Sequence, residues 1–510
     1  MRVIERSIKI YSIDSLIFRG RPVTEPTPAD APDTETFTSR RHRITAGGRS
    51  LDYSAGAGTV IVRDDEHRPL ASVFYTSYVA DREEGAPVRP VTFLFNGGPG
   101  SASLWLNIGG FGPKRTPTNT PLATPPAPYA SGDNPHTLLT ASDLVFIDAP
   151  GTGYSRLLGD ATPAELWGVD QDVAAFAKAI TRWLTITNNW NAPRFLFGES
   201  YGTTRAASLV HRLQNQGLDF NGVVLLSTVL NWGESNLGGP REYINLLPSY
   251  AATAWYHGKT RTAHTALEPL LIEAREFAQG PFAEALLRGD LLPADLEDAV
   301  AERMSALVGL DADYLKKHHF RIGMEQYRYA LLADEGRVIG RFDTRFTAEH
   351  QYVVGNGSHD PATDDAATAG VNSAHLSTYR AHLVDDIGFT SELHYRHLHN
   401  MPISRAWDWK HKAPGVDAPQ LVPDVSIDLS AAVRRNPNLK VFVMGGFYDL
   451  ATPFFGPEVD VAQLYLAPSL RENIRFTFYE SGHMTFVDER AVERMKSDLD
   501  DFYRDATTHG

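Results

Sequence analysis

The chain has 510 residues, 22% of them charged and 42% hydrophobic, and this mixture is typical of a folded globular protein rather than a disordered or fibrous one. At roughly 100 to 200 residues per domain, the length allows two to four units, or one large α/β core with a long insertion. The formal net charge of −14 provides no overall positive field that would attract phosphate backbones or anionic lipid. We therefore expect neither nucleic acid nor a membrane as a partner.

Cysteine is absent from the sequence, which excludes disulfides, thiolate metal sites, iron–sulfur clusters and a thiol nucleophile. Charged residues interrupt every apolar stretch near the start of the chain, so no signal-peptide core is predicted there. As written, the sequence predicts a cytoplasmic protein, or a periplasmic or secreted one if its start is incomplete.

The first part of the chain predicts an extension followed by β-hairpins. Residues 21–37 are rich in proline, threonine and acidic residues, so we interpret residues 1–39 as an N-terminal extension or linker. Between residues 40 and 80, short β-type runs alternate with glycine-containing turn signals, a pattern that favours antiparallel hairpins.

Six short apolar runs further along the chain predict strands that are buried on both faces. Helical periodicity over residues 170–186, and again after Ser200, separates several of these runs. Strands that alternate with helices indicate a doubly wound, mostly parallel central sheet of the α/β class. The six predicted strands are 91–95, 143–148, 194–197, 221–226, 439–444 and 474–479.

The strand pattern disappears between about 235 and 405, where helix-type sequence dominates. We interpret residues 236–405 as a helical cap inserted into an α/β core, whose two parts are residues 40–235 and 406–510. No repeat of fixed period is visible, which argues against a solenoid.

A candidate nucleophile lies between a predicted strand and a predicted helix. The strand at 194–197 runs into the motif GESYG at 198–202, and a helix follows, which is the context of a nucleophile elbow. In such a turn the serine, here Ser200, adopts a strained conformation, and the two glycines let neighbouring backbone pass close by. A glycine-flanked turn without chemistry is the alternative interpretation.

A serine nucleophile needs a general base and an acid that orients this base. In enzymes with a nucleophile elbow the chain order is serine, acid, histidine, and the acid and the histidine each follow a later strand. Asp449 and His483 each lie a few residues beyond a predicted strand end, where open α/β sheets place their sites. They are therefore the candidate acid and base.

A glycine-rich loop, NGGPG at residues 96–100, follows the strand at 91–95 directly. Glycines at such a position expose backbone N–H groups. One of these groups, together with the amide of Tyr201, fits an oxyanion hole for a tetrahedral intermediate. A plain Gly-Pro turn is the alternative interpretation.

These motifs together resemble those of the serine carboxypeptidases, peptidase family S10. The resemblance rests on NGGPG, DAPGTGYS, GESYG, a late aspartate and a late Gly-His-Met, which follow one another in the right order over about 90–500. It implies an α/β-hydrolase fold and a catalytic triad formed by Ser200, Asp449 and His483.

The resemblance also implies an oxyanion hole formed by the amides of Gly98 and Tyr201. It assigns recognition of the substrate's terminal carboxylate to Asn96, Gly97 and Glu199. Two carboxylates that share a desolvated pocket repel each other, so one of them must carry a proton. We therefore expect a protonated Glu199 that donates to the peptide carboxylate, and a KM for peptides that rises as pH increases from acid through neutral.

Three positions depart from the family pattern. Leu94 stands where many members have tryptophan, and Gly110 stands where a glutamate is common. The substitution at Gly110 removes an expected partner of Glu199. The family's usual G-D-x-D reads GFYD at 446–449, which keeps the orienting acid and loses the first aspartate.

The sequence therefore predicts a serine exopeptidase that releases C-terminal residues from peptides through an acyl-enzyme, without a metal or cofactor. An esterase or acyltransferase on the same scaffold, and a non-catalytic binding protein of this fold, are the alternatives. Peptides are the expected partners, and a homodimer is possible. Five histidines without carboxylates at ligand spacing are interpreted as solvated helix residues: His318, His319, His394, His397 and His399.

Overall fold

The computed structural model describes residues 33–235, 238–349 and 365–508. Most of the predicted extension at 1–39 therefore lies outside the described residues. The main sheet contains nine strands that order the fold: β1 (Phe37–Ala46), β2 (Arg49–Arg63), β3 (Pro69–Ala80), β4 (Val91–Phe95), β5 (Asp143–Ile147), β6 (Arg194–Glu199), β7 (Gly222–Leu226), β8 (Lys440–Gly446) and β9 (Ile474–Tyr479). A tenth, Arg156–Leu157, pairs with β3.

The nine strands lie in the order β1-β2-β3-β5-β4-β6-β7-β8-β9. The first three are antiparallel, which confirms the predicted hairpins, and β3 also pairs antiparallel with β5. From β5 to β9 all neighbours are parallel, so the doubly wound, mostly parallel sheet is confirmed. Because connections between parallel strands cover both faces of a sheet, the inner strands are apolar throughout rather than alternating.

Fourteen α-helices lie within the described residues: α1 (Val169–Ile186), α2 (Tyr201–Asn215), α3 (Pro240–Tyr256), α4 (Leu267–Gln279), α5 (Pro281–Arg288), α6 (Ala294–Val308), α7 (Ala312–Lys317), α8 (Met324–Ala330), α9 (Ala366–Ala381), α10 (Asn400–Ala406), α11 (Ser426–Arg435), α12 (Phe455–Ala462), α13 (Pro468–Arg471) and α14 (Glu489–Thr507). Two π-helices, Trp105–Phe111 and His382–Ile387, are also present. None of the described helices is both long and apolar enough to cross a bilayer.

Alternate residues of each inner strand face two separate apolar layers. On one face Phe93 and Phe95 of β4 pack with α1, α2 and α11. On the other face Leu94 packs with the π-helix Trp105–Phe111, α9 and α14. Leu94 is fully buried there, so the position that carries tryptophan in many family members is part of the core.

A third apolar cluster lies within the helical region between β7 and β8. It contains residues of the six helices from α3 through α8, together with Tyr448, Leu450 and Phe454, which follow the end of β8. The region also contains a short two-stranded ribbon, Arg337–Ile339 with Thr347–Glu349, which the sequence did not predict. The limits of the cap at 236–405 stay a prediction, but its helices pack directly on the loop that carries Asp449.

Candidate active site

Ser200 lies at a sharp turn between β6 and α2. Its φ of 59° and ψ of −131° place a non-glycine residue in a sparsely populated region, which is the strain expected of a nucleophile elbow. A Cβ on Gly198 would stand 2.0 Å from the carbonyl oxygen of Gly202, and one on Gly202 would stand 2.7 Å from that of Phe95. The turn therefore requires both glycines of the motif, and it places Ser200 at the carboxyl end of the sheet.

Asp449 and His483 form a buried pair beyond the ends of β8 and β9. The carboxylate Oδ2 of Asp449 lies 2.7 Å from the imidazole Nδ1 of His483. Asp449 also accepts hydrogen bonds from the backbone N–H groups of Ala451 and Thr452 and from the Thr452 hydroxyl at 2.7 Å. Burial lowers the pKa of His483, but the charge and hydrogen bond of Asp449 outweigh this effect and raise the pKa above its ordinary value.

The position of the imidazole is fixed by contacts with two other segments. The backbone N–H of His483 donates to the carbonyl oxygen of Phe342 at 2.6 Å, and the two rings lie 5.0 Å apart between centroids. The hydroxyl of Ser227, just after β7, donates to the carbonyl oxygen of His483 at 2.6 Å. The histidine is therefore held in one orientation by the cap and by the core.

The NGGPG loop lies against the start of α2. A Cβ on Gly97 would stand 2.4 Å from the amide nitrogen of Tyr201, so only glycine allows this approach. Tyr201 is the first residue of α2, and an amide at this position has no acceptor within its own helix. Gly98 has a φ of +110°, which favours glycine. Asn96 is buried, and its side-chain amide donates to the Oε2 of Glu199.

Glu199 is 3% exposed, and burial raises its pKa to about 7, with the charge of His483 opposing the rise and that of Asp449 supporting it. Its Oε1 is buried without a hydrogen-bond partner among the described residues. A Cβ on Gly110 would stand 3.1 Å from the ring of Phe486, so a larger residue at 110 would require this ring to shift by a few tenths of an ångström.

A cavity of about 270 Å³ unites the predicted residues. Its lining includes Ser200, His483, Asn96, Gly97, Gly98 and Glu199. Asp449 is fully buried behind His483, and Tyr201 contributes the backbone at the start of α2. The predicted base, nucleophile and carboxylate-binding residues therefore face one common space.

The opposite wall of the cavity includes residues that the sequence analysis missed. Leu398, Asn400 and Met401 line it, and the preceding segment pairs with the NGGPG loop. His397 accepts from the N–H of Ala102 at 3.0 Å, and His399 donates to the carbonyl oxygen of Gly100 at 2.7 Å, both through their backbones. This segment has no apolar periodicity that would have marked it.

The interpretation of the five histidines as helical is wrong. His394, His397 and His399 precede α10 in an irregular segment that is tied to the glycine loop, and His318 and His319 follow the end of α7. Around His394, His397 and His399, helix propensity is overridden because the backbone pairs with residues 101 and 153, which are distant in the chain. Within the ranges that the structure describes, no group of three or more histidine or acidic side chains is arranged to hold a metal ion.

The sheet order, the serine at the turn after β6 and the histidine–aspartate pair after β8 and β9 define the class of protein, an α/β-hydrolase. The sequence profile of the serine carboxypeptidases matches residues 53–233. Serine-type carboxypeptidase F of Aspergillus niger is 30% identical over 118 residues, which cover 23% of this chain and 20% of the relative's length. Over residues 53–233 the chain is therefore similar to the serine carboxypeptidases, peptidase family S10.

A solved structure has the same fold. A prohormone-processing carboxypeptidase from Saccharomyces cerevisiae is similar to this chain with a TM-score of 0.53 and 13% identity, over 88% of this chain and 91% of that one. At this identity the likeness concerns the fold alone.

Proposed function

We propose that this protein is a serine carboxypeptidase that releases single residues from the C-terminus of peptides through an acyl-enzyme. One observation carries the proposal: the buried Asp449–His483 pair and the buried Asn96–Glu199 pair face the same cavity as Ser200. The first pair suits acyl transfer, and the second suits the recognition of a carboxylate.

In the proposed reaction, His483 takes the proton of the Ser200 hydroxyl as the oxygen attacks the carbonyl carbon of the last peptide bond. The amides of Gly98 and Tyr201 stabilise the oxyanion of the tetrahedral intermediate. The C–N bond then breaks, and His483 gives its proton to the leaving amine. Water, activated by the same imidazole, hydrolyses the ester and regenerates the serine. Asp449 fixes the tautomer and stabilises the imidazolium.

Restriction to the C-terminus follows from Glu199. Asn96 donates to one oxygen of Glu199, so a proton on the other oxygen, Oε1, is available for the terminal carboxylate of a peptide. Asn96 and Gly97 complete this recognition. A hydrogen bond to a charged group is worth about 1.5–3 kcal/mol, so a C-terminal amide should be a poorer substrate by about 10- to 100-fold in kcat/KM.

The test uses one peptide as a free acid and as its C-terminal amide, with products followed by mass spectrometry. We expect stepwise shortening of the free acid from the C-terminus, loss of activity in Ser200→Ala and full activity in Ser430→Ala on the surface of α11. Cleavage of esters without cleavage of peptides would instead identify an esterase. Absence of labelling by a fluorophosphonate would identify a binding protein.

A further inference from the structure

We propose that Arg341 makes the site selective for peptides whose leaving C-terminal residue has an acidic side chain. This inference rests on the proposed carboxypeptidase activity. Arg341 follows the short strand Arg337–Ile339 of the helical region, and its side chain lines the cavity that contains Ser200 and His483.

The charges that line the cavity favour an anion next to Arg341. Among the described residues of the lining, Arg341 is the only lysine or arginine and Glu199 is the only acid. The Nε of Arg341 is buried without a hydrogen-bond partner among the described residues. A buried N–H that lacks an acceptor is costly, and a carboxylate offers the planar acceptor that fits a guanidinium.

The backbone of Arg341 is held in place on both sides. Its N–H donates to the carboxylate of Asp365, and its carbonyl oxygen accepts from the N–H of Leu450 at 3.1 Å. The next residue, Phe342, accepts from the backbone of His483. The backbone of Arg341 is thus tied to the loop after β8, and its neighbour Phe342 to the catalytic histidine, so the backbone needs little reordering when Arg341 binds an anion.

The reaction identifies the part of the substrate that lies nearest to Arg341. His483 returns its proton to the leaving amine, so the leaving residue must lie on the imidazole side of Ser200. The charge of Arg341 acts on the catalytic histidine, because it opposes the rise in the pKa of His483. Burial lowers the pKa of Arg341 itself, and the charges of Glu325, Asp365 and Asp449 oppose this fall. The charges that act on Glu199 are those of His483 and Asp449.

Arg341 therefore lies toward the histidine, whereas Asn96 and Glu199 form the end proposed to hold the main-chain carboxylate. A leaving glutamate or aspartate has two carboxylates, one for each end. A leaving glutamine has the same shape and only one carboxylate, which makes it the matched comparison.

The experiment compares peptides that end in alanine-glutamate and alanine-glutamine, and peptides that end in glutamate-alanine and glutamine-alanine. For the wild type we expect kcat/KM to favour leaving glutamate over leaving glutamine by about 10- to 100-fold, as a charge-assisted hydrogen bond predicts. Arg341→Gln should abolish this preference, so that the glutamate and glutamine peptides are cleaved with about equal kcat/KM. Arg341→Lys should retain part of it. Arg337→Gln removes an exposed arginine of the same segment and should retain all of it.

Three results would overturn the inference. The first is an equal loss of kcat/KM for both leaving residues in Arg341→Gln, which would mean that Arg341 binds the main-chain carboxylate. The others are a preference that follows the penultimate residue, and no preference for leaving glutamate in the wild type. Thermal unfolding of each variant separates these results from misfolding. If no peptide is shortened, the proposed function fails. Binding of the same peptides to Ser200→Ala, measured by calorimetry, still tests the selectivity in that case.

Discussion

The protonation state of Glu199 should control the binding of peptides. Its pKa is about 7 instead of 4.5, mainly because the carboxyl group is buried. Only the protonated form can donate to a terminal carboxylate, since the ionised form repels it. Affinity for a free-acid peptide should therefore fall as pH rises through neutrality. Affinity for the matching amide should not, because an amide can donate to either form.

The expected magnitude follows from the fraction of Glu199 that is protonated. With a pKa of about 7, this fraction falls about 10-fold between pH 6 and pH 8, and about 100-fold by pH 9. The dissociation constant of a free-acid peptide should rise by the same factors. In Glu199→Gln the side-chain oxygen can still accept from Asn96, and the amide can still donate, so the dissociation constant should stay constant across this range.

Calorimetry with Ser200→Ala measures this dissociation constant without turnover, so titration of His483 in the chemical step does not interfere. The same substitution Glu199→Gln, added to Ser200→Ala, is the comparison. A free-acid peptide whose affinity is flat from pH 6 to pH 9, or an amide whose affinity falls in parallel, would refute the assignment. Stability gives a second readout: the folded pKa exceeds the unfolded one, so wild-type stability should fall as pH rises from about 4.5 to 7. This loss should amount to about 3 kcal/mol and be absent in Glu199→Gln.

Asp449→Asn should lower kcat about 10⁴-fold with little change in KM, because the amide cannot stabilise the imidazolium; steady-state kinetics will check this. Arg205→Met should cost about 3–5 kcal/mol in urea unfolding, since it leaves Asp172 buried without its partner, and Asp172→Asn in the same chain should restore part of the loss. Burial lowers the pKa of His411, but hydrogen bonds to two aspartates outweigh this and raise it to about 9. The contribution of His411 to the free energy of unfolding should be fully present below about pH 6.5. It should be lost as pH rises through 9. The free energies of unfolding in urea at pH 6 and pH 10 should therefore differ by up to about 3 kcal/mol more in the wild type than in His411→Gln.

The parts of the site that the sequence predicted are those whose geometry is local. The turn at Ser200 needs glycines two residues away on each side, so the motif GESYG itself shows this steric requirement. Asp449 and His483 could be placed because parallel strands bring their carboxyl ends to one edge of the sheet. Apolar runs predicted all six of these strands for the same reason, since burial on both faces leaves a continuous pattern.

The parts that the sequence did not predict depend on contacts between distant segments. Arg341 has no neighbouring motif, and its place in the cavity follows from backbone hydrogen bonds to residues 365 and 450. Asn400 reaches the cavity because the segment before it pairs with the glycine loop, about 300 residues earlier in the chain. The sequence also could not show that Gly110 lies against the ring of Phe486, which is distant in the chain.

The two carboxylates of the site show how one chemical group acquires opposite states. Asp449 accepts four hydrogen bonds, from two backbone amides, the Thr452 hydroxyl and His483, and these donors stabilise its charge. Glu199 is also buried, but among the described residues its carboxyl group accepts a hydrogen bond only from Asn96. Protonation of the other oxygen therefore costs less than leaving it charged without a partner. Among the described residues that line the cavity, the guanidinium of Arg341 is the only permanent positive charge. We therefore expect the cavity to attract an anionic end of a peptide in mildly acidic solution and to lose that attraction as Glu199 ionises.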